Sequence, residues 1–299
     1  MTATGSALAA IALWATLSSL GLLLQHVPPF LLTGVALFIG SALTWPTVIR
    51  NRQAWAVSKP VLALGVITLF GFHFLLFMAL RLAPAVEVNL VNYLWPLLIV
   101  VLSPFYLPGQ RLRSIQVLAA ILGFAGAALA IWGAGGSAGA GGAGSAVSDG
   151  GSESPSTGHW LGYALAIGSA FLWANYSLQT KRLALAGRSF SAAAIGLFGL
   201  ISGLLALLCH VLLEPSVALS WRDGLLLLLM GLGPLGGAFL LWDRALKLGD
   251  ARHIGTLSYL TPLGSTVLLL TVTGRGLTWS IALAAAMIIG AALLATKSR

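Results

Sequence analysis

Long apolar runs alternate along this chain with short polar breaks, and each run is about as long as a bilayer is thick. A membrane-spanning helix needs about 20 predominantly apolar residues. The runs fall at 6–26, 29–49, 60–82, 84–107, 112–133, 158–180, 188–213, 222–246, 250–273 and 277–297. This spacing predicts an all-α integral membrane protein of ten transmembrane helices and leaves no stretch for an attached soluble domain. No Gly-rich phosphate loop with its lysine is present, which excludes a built-in ATPase. The first run has no positive residue before it and no convincing cleavage site in the following "LLLQHVPPF". It reads as a retained helix and not a signal peptide.

One interruption differs from the rest. Residues 134–157, "AGGSAGAGGAGSAVSDGGSESPST", are Gly- and Ser-rich and carry no packing side chains, which is the composition of a flexible linker. The linker divides the runs five and five, giving a first repeat over 1–133 and a second over 158–299. The two parts resemble each other. A shift of 166 sets "ALRLAPAVEVNLVNYLWPL" (79–97) over "ALKLGDARHIGTLSYLTPL" (245–263) with eight of nineteen positions identical, Tyr93 over Tyr259 and Pro96 over Pro262 among them. More weakly, "LWATLSSL" matches "LWANYSLQ" and pairs Trp14 with Trp173. An odd number of spans per copy inserts the second upside down relative to the first. Inverted repeats of this kind are a hallmark of secondary transporters, with the site at the midplane where the repeats meet.

The polar residues inside the runs mark where a central cavity is expected. Proline lacks an N–H, so Pro96 cannot bond the carbonyl of Asn92, and Pro262 likewise frees that of Ser258. A free carbonyl at membrane depth must be met by water, ligand or a neighbouring side chain. Asn89, Asn92, Tyr93 and Pro96 share one helical face of span 4, able to line a cavity or to form a packing kink. Trp14, Ser18, Gly21 and Gln25 make a similar stripe on span 1, as do Ser169, Trp173, Tyr176 and Thr180 on span 6. Span 3 adds His73, Phe74 and Phe77. A lone intramembrane histidine is a functional-site candidate, and a neutral imidazole bonded within the bundle is the competing reading. Trp242 on span 8 and Tyr259 on span 9 complete the candidate set. Trp45, Trp55, Trp221 and Trp279 sit where interface anchors are expected. Close spacings such as Gly123 with Ala127, Gly199 with Gly203 and Gly233 with Gly237 read as helix-packing features.

Composition strengthens the membrane reading. The 299 residues are 58% hydrophobic and 8% charged, with a mean hydropathy of +0.96, against about 25% charged in soluble domains. The net charge of +9 is a topology signal and not a nucleic-acid footprint, because the basic residues are unevenly divided between the loops of the two sides. Thirteen lie on one side, in loops 2–3, 4–5, 6–7 and 8–9 and the tail, and three (Arg81, Arg222 and Arg275) lie on the other. Both termini are therefore expected in the cytoplasm and the linker outside. The one cysteine, Cys209, permits no intrachain disulfide. No second His or Cys stands at ligand spacing from His73, so neither a metal nor a cofactor is expected. Of seven acids, Asp149, Glu153, Glu214 and Asp223 fall in or beside loops. Asp250 opens span 9, Asp243 is expected to pair with Arg244, and Glu87 is one turn into span 4. Ion-driven carriers commonly bury a carboxylate, so facilitated movement down a gradient is expected more than tight coupling.

At "NYLWP" (92–96), "LW" (13–14) and "LWANY" (172–176) the chain resembles the drug/metabolite transporter superfamily of EamA type, and within it the bacterial aromatic amino acid exporters. The resemblance runs over nearly the whole chain. It implies a basket of ten helices around a cavity lined by spans 1, 3, 4, 6, 8 and 9, in the bacterial inner membrane. It implies export of aromatic and other neutral amino acids or similar metabolites, with a multidrug or quaternary-amine carrier as the alternative. The implied partners are small-molecule substrates and membrane lipids. Carried over, the cavity aromatics are Trp14, Trp95 and Trp173, with His73 or Phe74 from span 3. The pattern departs at "FHFLLF", which lacks a tyrosine that the family carries there, so strict aromatic selectivity is not implied. An intramembrane enzyme would need nucleophilic or ionised groups clustered near one interface. The sequence offers no serine–lysine pair, metal set or Asp-rich motif.

Overall fold

A computed structural model describes residues 1–109, 112–133, 157–273 and 279–297, and among them there are helices and no strands. The Gly/Ser-rich stretch expected to be a linker falls almost wholly outside the described residues, as do Arg111, Arg275 and Arg299 of the charge count.

The helical segments, labelled in chain order, are α1 (Ala3–Leu23), α2 (Pro29–Arg50), α3 (Lys59–Leu82), α4 (Ala85–Asn92 and Trp95–Tyr106) and α5 (Ser114–Gly133). They continue as α6 (Thr157–Leu185), α7 (Ala193–Leu213), α8 (Trp221–Leu248), α9 (Ala251–Leu257 and Leu260–Thr273) and α10 (Trp279–Lys297). Six stretches, in α1, α2, α3, α4, α7 and α8, are long and apolar enough to cross a membrane, and shorter apolar helices lie in α5 and α10.

Local chemistry accounts for where these helices start. Pro29 and Pro60 stand in the first turns of α2 and α3, where a missing N–H costs nothing. Ser220 and Asp223 form a capping box on α8, and Asp250 accepts from the backbone N–H groups of Arg252 and His253 at the start of α9. At the start of α2 the Glu214 carboxylate, 1% exposed, accepts from the N–H groups of Phe30 (2.9 Å) and Leu31 (3.2 Å). An anion on a helix N-terminus contributes about 0.3–1 kcal/mol at exposed sites, and up to about 2 in buried geometry.

Besides a 3-10 turn within α2 (Ala42–Thr44) and a π turn within α8 (Gly233–Gly237), three helices are interrupted. In α1 the turn at Thr16 coincides with its hydroxyl donating to the Leu13 carbonyl (2.7 Å). In α4 the break is at Tyr93–Leu94, just before Pro96, with a tight turn from the Leu94 N–H to the Val91 carbonyl (3.1 Å). In α9 it is at Ser258–Tyr259, ahead of Pro262. Both prolines are buried. The expectation that Pro262 leaves the Ser258 carbonyl free is corrected: the helix tightens by one residue, and the Thr261 N–H donates to it at 2.9 Å.

Pairwise packing runs α1 on α8, α2 on α7, α3 on α6 and α5 on α10, with α4 against α6 and α9, and α1 against α9. Glycines permit the closest approaches. A Cβ on Gly40 of α2 would sit 2.8 Å from the Gly231 carbonyl and 2.9 Å from the Gly236 Cα, both backbone atoms of α8. Gly203 meets the Gly34 carbonyl across α7 and α2 in the same way.

Candidate functional site

Where α1, α3, α4, α6, α8 and α9 converge, the interior is aromatic. The Trp173 ring centre on α6 lies 5.8 Å from Trp14, 6.3 Å from Trp95, 6.4 Å from Trp242 and 5.5 Å from Phe239. Trp14 and Trp95 stand 5.1 Å and 5.5 Å from Trp242. Most of these pairs are tilted or edge-to-face, the geometry that aligns a ring's positive edge with its neighbour's negative face. Local structure fixes two of the indoles. The Trp14 Nε1–H donates to the Pro234 carbonyl (3.1 Å), inside a π-helical turn, Gly233–Gly237, that splits α8. The Trp242 Nε1–H donates to the Ser177 hydroxyl (3.2 Å).

Against this cluster lies a cavity of about 70 Å³ lined by Trp14, Leu17, Phe72, His73, Leu76, Phe77, Tyr93, Trp95, Trp173, Leu235, Phe239, Thr261 and Ser265. A buried water needs roughly 10–15 Å³ on this measure, so the space holds about five waters. Among the described residues, none that lines it is acidic or basic apart from His73. The His73 Nδ1 lies 2.6 Å from the Leu69 carbonyl. A carbonyl can only accept, so that nitrogen carries the proton and Nε2 is the acceptor of the neutral ring. His73 is thus bonded within its own helix and also faces the cavity. The Ser265 hydroxyl donates to the Ala15 carbonyl (3.0 Å), whereas the Thr261 hydroxyl is buried without a hydrogen-bond partner.

Of the residues singled out in the sequence, Trp14, His73, Phe77, Tyr93, Trp95 and Trp173 line this cavity. Trp242 is fully buried beside them in the ring cluster. Tyr176 packs behind Trp173 at 5.7 Å. Other candidates stand elsewhere. Phe74 stacks between Phe30 and Phe70. Asn92 accepts from the Ser169 hydroxyl (2.6 Å) and so joins α4 to α6, while Asn89 is buried outside the lining. Tyr259, 0% exposed, packs against Gly123 and Ala127 of α5 and Ile288 of α10. Gln25 is exposed beyond the end of α1. Pro96 and Pro262 sit at the breaks, with the Pro96 carbonyl turned toward Gly255.

Sequence reading missed Thr261, Ser265, Leu235 and Phe239. Two of these had a signal: Thr261 falls opposite Trp95 in the 166-residue shift, and Ser265 follows it one turn on. Leu235 and Phe239 had none, because the π turn rotates the face of α8.

The acids also differ from expectation. Glu87 is exposed. Asp243 does not pair with Arg244, which is exposed. Its Oδ2 lies 2.7 Å from the Lys247 Nζ, one helical turn on, and the carboxylate is 2% exposed. Neighbours on a helix face are three or four residues apart, which is why the sequence-adjacent arginine was the wrong partner.

The family model described as the EamA-like transporter family matches residues 2–132 and 160–297. Three curated proteins named aromatic amino acid exporter YddG are similar to the chain. The protein of Ancylobacter novellus is 38% identical over 96% of this chain and 94% of its own length. That of Escherichia coli (strain K12) is 27% identical over 82% and 78%, and that of Salmonella typhimurium 28% over 72% and 69%. A solved crystal structure superposes with a TM-score of 0.86 at 35% identity, covering 99% of this chain and 98% of the other.

Proposed function

The chain belongs to the EamA-like transporter family, and from that premise we propose that it exports aromatic and other neutral amino acids, or similar small metabolites, across a bacterial cytoplasmic membrane by alternating access. The observation that carries this reading is the aromatic-walled cavity between the two parts of the chain, with three indoles in its wall and a fourth, Trp242, packed against them. A flat ring can replace one of the edge-to-face neighbours there, and the amino and carboxylate groups would meet the His73 ring and the Thr261 hydroxyl. Among the described residues no carboxylate lines the cavity, which favours neutral or zwitterionic substrates over cations.

Two inverted five-helix repeats are the architecture this mechanism needs, and the packing supports them. Exchanging α1–α5 with α6–α10 turns the α3–α6 pair into α8–α1 and the α4–α6 pair into α9–α1. The α2–α7, α4–α9 and α5–α10 pairs map onto themselves, and every one of these pairs is in contact. The family match interrupted between residues 132 and 160 fits the same division. Gly249 at the end of α8 lies beside Ala3 at the start of α1. The Trp242 end of the cluster therefore points to the side of the N-terminus, and the uneven division of basic residues between the loops supports a cytoplasmic location for that side. In this reading the indole cluster closes the cavity toward the cytoplasm. Transport requires the tryptophan floor to part and the space to enlarge.

Counterflow of labelled L-phenylalanine into proteoliposomes, with a panel of competing amino acids and organic cations, tests the proposal. Saturable uptake inhibited by neutral amino acids is expected. Inhibition by quaternary amines alone, or no uptake, overturns it.

A further inference from the structure

The buried ion pair beneath the tryptophan floor is not used by the reading above, although it adjoins Trp242. The Lys247 ammonium ties the end of α8 to the segment that leads into α7. It bonds the Asp243 Oδ2 at 2.7 Å and the Phe190 carbonyl at 2.8 Å, and lies 4.1 Å from the centre of the Phe190 ring. The Lys181 ammonium at the end of α6 in turn reaches the Lys247 carbonyl at 3.4 Å. The ends of α6 and α8 and the start of α7 are thus held together through one lysine.

The opposite end of the molecule carries a related arrangement. Arg81, which the 166-residue shift sets over Lys247, lies 5.8 Å from the Phe30 ring and 3.5 Å from the Glu214 carboxylate. The two latches differ in one respect. Both Glu214 oxygens are taken up, by two backbone N–H groups and by His210. The Asp243 Oδ1 is buried with no hydrogen-bond partner, a costly condition for an ionised oxygen.

Resting on the proposed exchange of access, we infer that Asp243 is a proton-binding site whose protonation releases the Lys247 latch and opens the cytoplasmic side. A proton from cytoplasmic water forms an O–H bond at Oδ1, and Lys247 keeps its own proton. The ion pair becomes a cation beside a neutral acid. The ammonium, 16% exposed already, is left with one carbonyl and one ring and moves into water. The segment containing Phe190 then separates from α8.

The groups that share this environment are few. On α8 they are Arg244 and Lys247. On α6 they are Tyr176, Lys181 and Arg182, in the segment leading into α7 there is Arg188, and at the start of α9 they are Asp250, Arg252 and His253. The described part of α1 and the π turn contribute no charged side chain. Among these only His253 has an ordinary titration range that overlaps the window tested below.

Hydrogen–deuterium exchange of the purified full chain, expressed relative to intrinsic rates, reads the latch without relying on transport. Protection of amides in 186–192 and 243–250 is expected to fall at least about tenfold between about pH 8 and about pH 5.5, as expected for a broken buried ion pair. Asp243→Asn and Lys247→Gln are expected to show the low protection at both pH values, and His253→Gln to keep the wild-type response. Unchanged wild-type protection across the range, or the same pH response in Asp243→Asn, overturns the inference. Phenylalanine counterflow in the same preparations separates the two proposals. A pH-dependent latch with no counterflow overturns the transport reading alone, and counterflow with a pH-independent latch overturns only the proton site.

Discussion

At the scale of single residues, Thr261 and Trp173 give opposite signatures that separate binding from folding. The Thr261 hydroxyl is buried at the cavity wall without a partner, so it detracts from stability in the substrate-free protein. Thr261→Val removes that liability and is expected to raise unfolding stability by about 1 kcal/mol, measured as a thermal midpoint in detergent. If the hydroxyl meets substrate, the same change lowers the initial counterflow rate. A variant more stable and equally active removes Thr261 from the site. Trp173 contacts Trp14, Trp95, Trp242 and Phe239 at once. Trp173→Ala is expected to cut counterflow by roughly tenfold or more, with partial recovery in Trp173→Phe, because a ring restores part of each aromatic pair. Equal loss in both would mark a purely steric role. The sequence made Trp173 conspicuous, since it lies deep in its span, far from an interface belt. It could not rank Asn92 or Tyr259, whose polar atoms suit a cavity as well as a helix contact. Ser169 and Gly123 of α5 decide those cases, and such partners are far apart in the chain.

At the scale of helices, the close seam between α2 and α8 carries a sharp test. An added Cβ on Gly40 would meet only backbone, the Gly231 and Leu235 carbonyls and the Gly236 Cα, and backbone cannot swing aside as a side chain can. Gly40→Ala is expected to destabilise the protein by about 1–3 kcal/mol. Gly224→Ala, near the start of the same α8 where a Cβ would meet nothing within 4 Å, is expected to be neutral or stabilising by up to about 1 kcal/mol. Equal thermal midpoints for the two variants would show that the seam is looser than its geometry. Apolar runs placed the helices themselves within a few residues, because length and hydropathy decide a span. The α4 and α9 breaks were also legible, from paired prolines. The π turn of α8 was not read, although "GLGPLGG" contains it. A glycine-rich, proline-bearing stretch is compatible with a kink, a tight helix contact or a widened turn, and only the position of Gly40 and Trp14 selects the last.

At the scale of the whole molecule, the repeat, the charge asymmetry and the direction of the cavity form one testable geometry. The shift that pairs residues 79–97 with 245–263 is visible in sequence, and the helix pairing agrees with it. Which end faces the cytoplasm depends on the basic loops alone, because the fold is compatible with either orientation. Ser189 before α7 and Ser216 after it are both exposed and lie at opposite ends of that helix. In a Cys209→Ala background, Ser189→Cys is expected to react with a membrane-impermeant maleimide only in inside-out vesicles, and Ser216→Cys only in right-side-out cells. The reversed pattern would invert the molecule and place the tryptophan floor toward the outside. The cavity would then be closed toward the exterior, and the Asp243–Lys247 latch would sense external pH. Labelling of both cysteines from one side would mean that α7 does not cross, and with it the five-and-five inverted arrangement would fail. Since α2 and α7 pack as an exchange-symmetric pair, one helix that does not cross removes the symmetry on which the proposed alternating access depends.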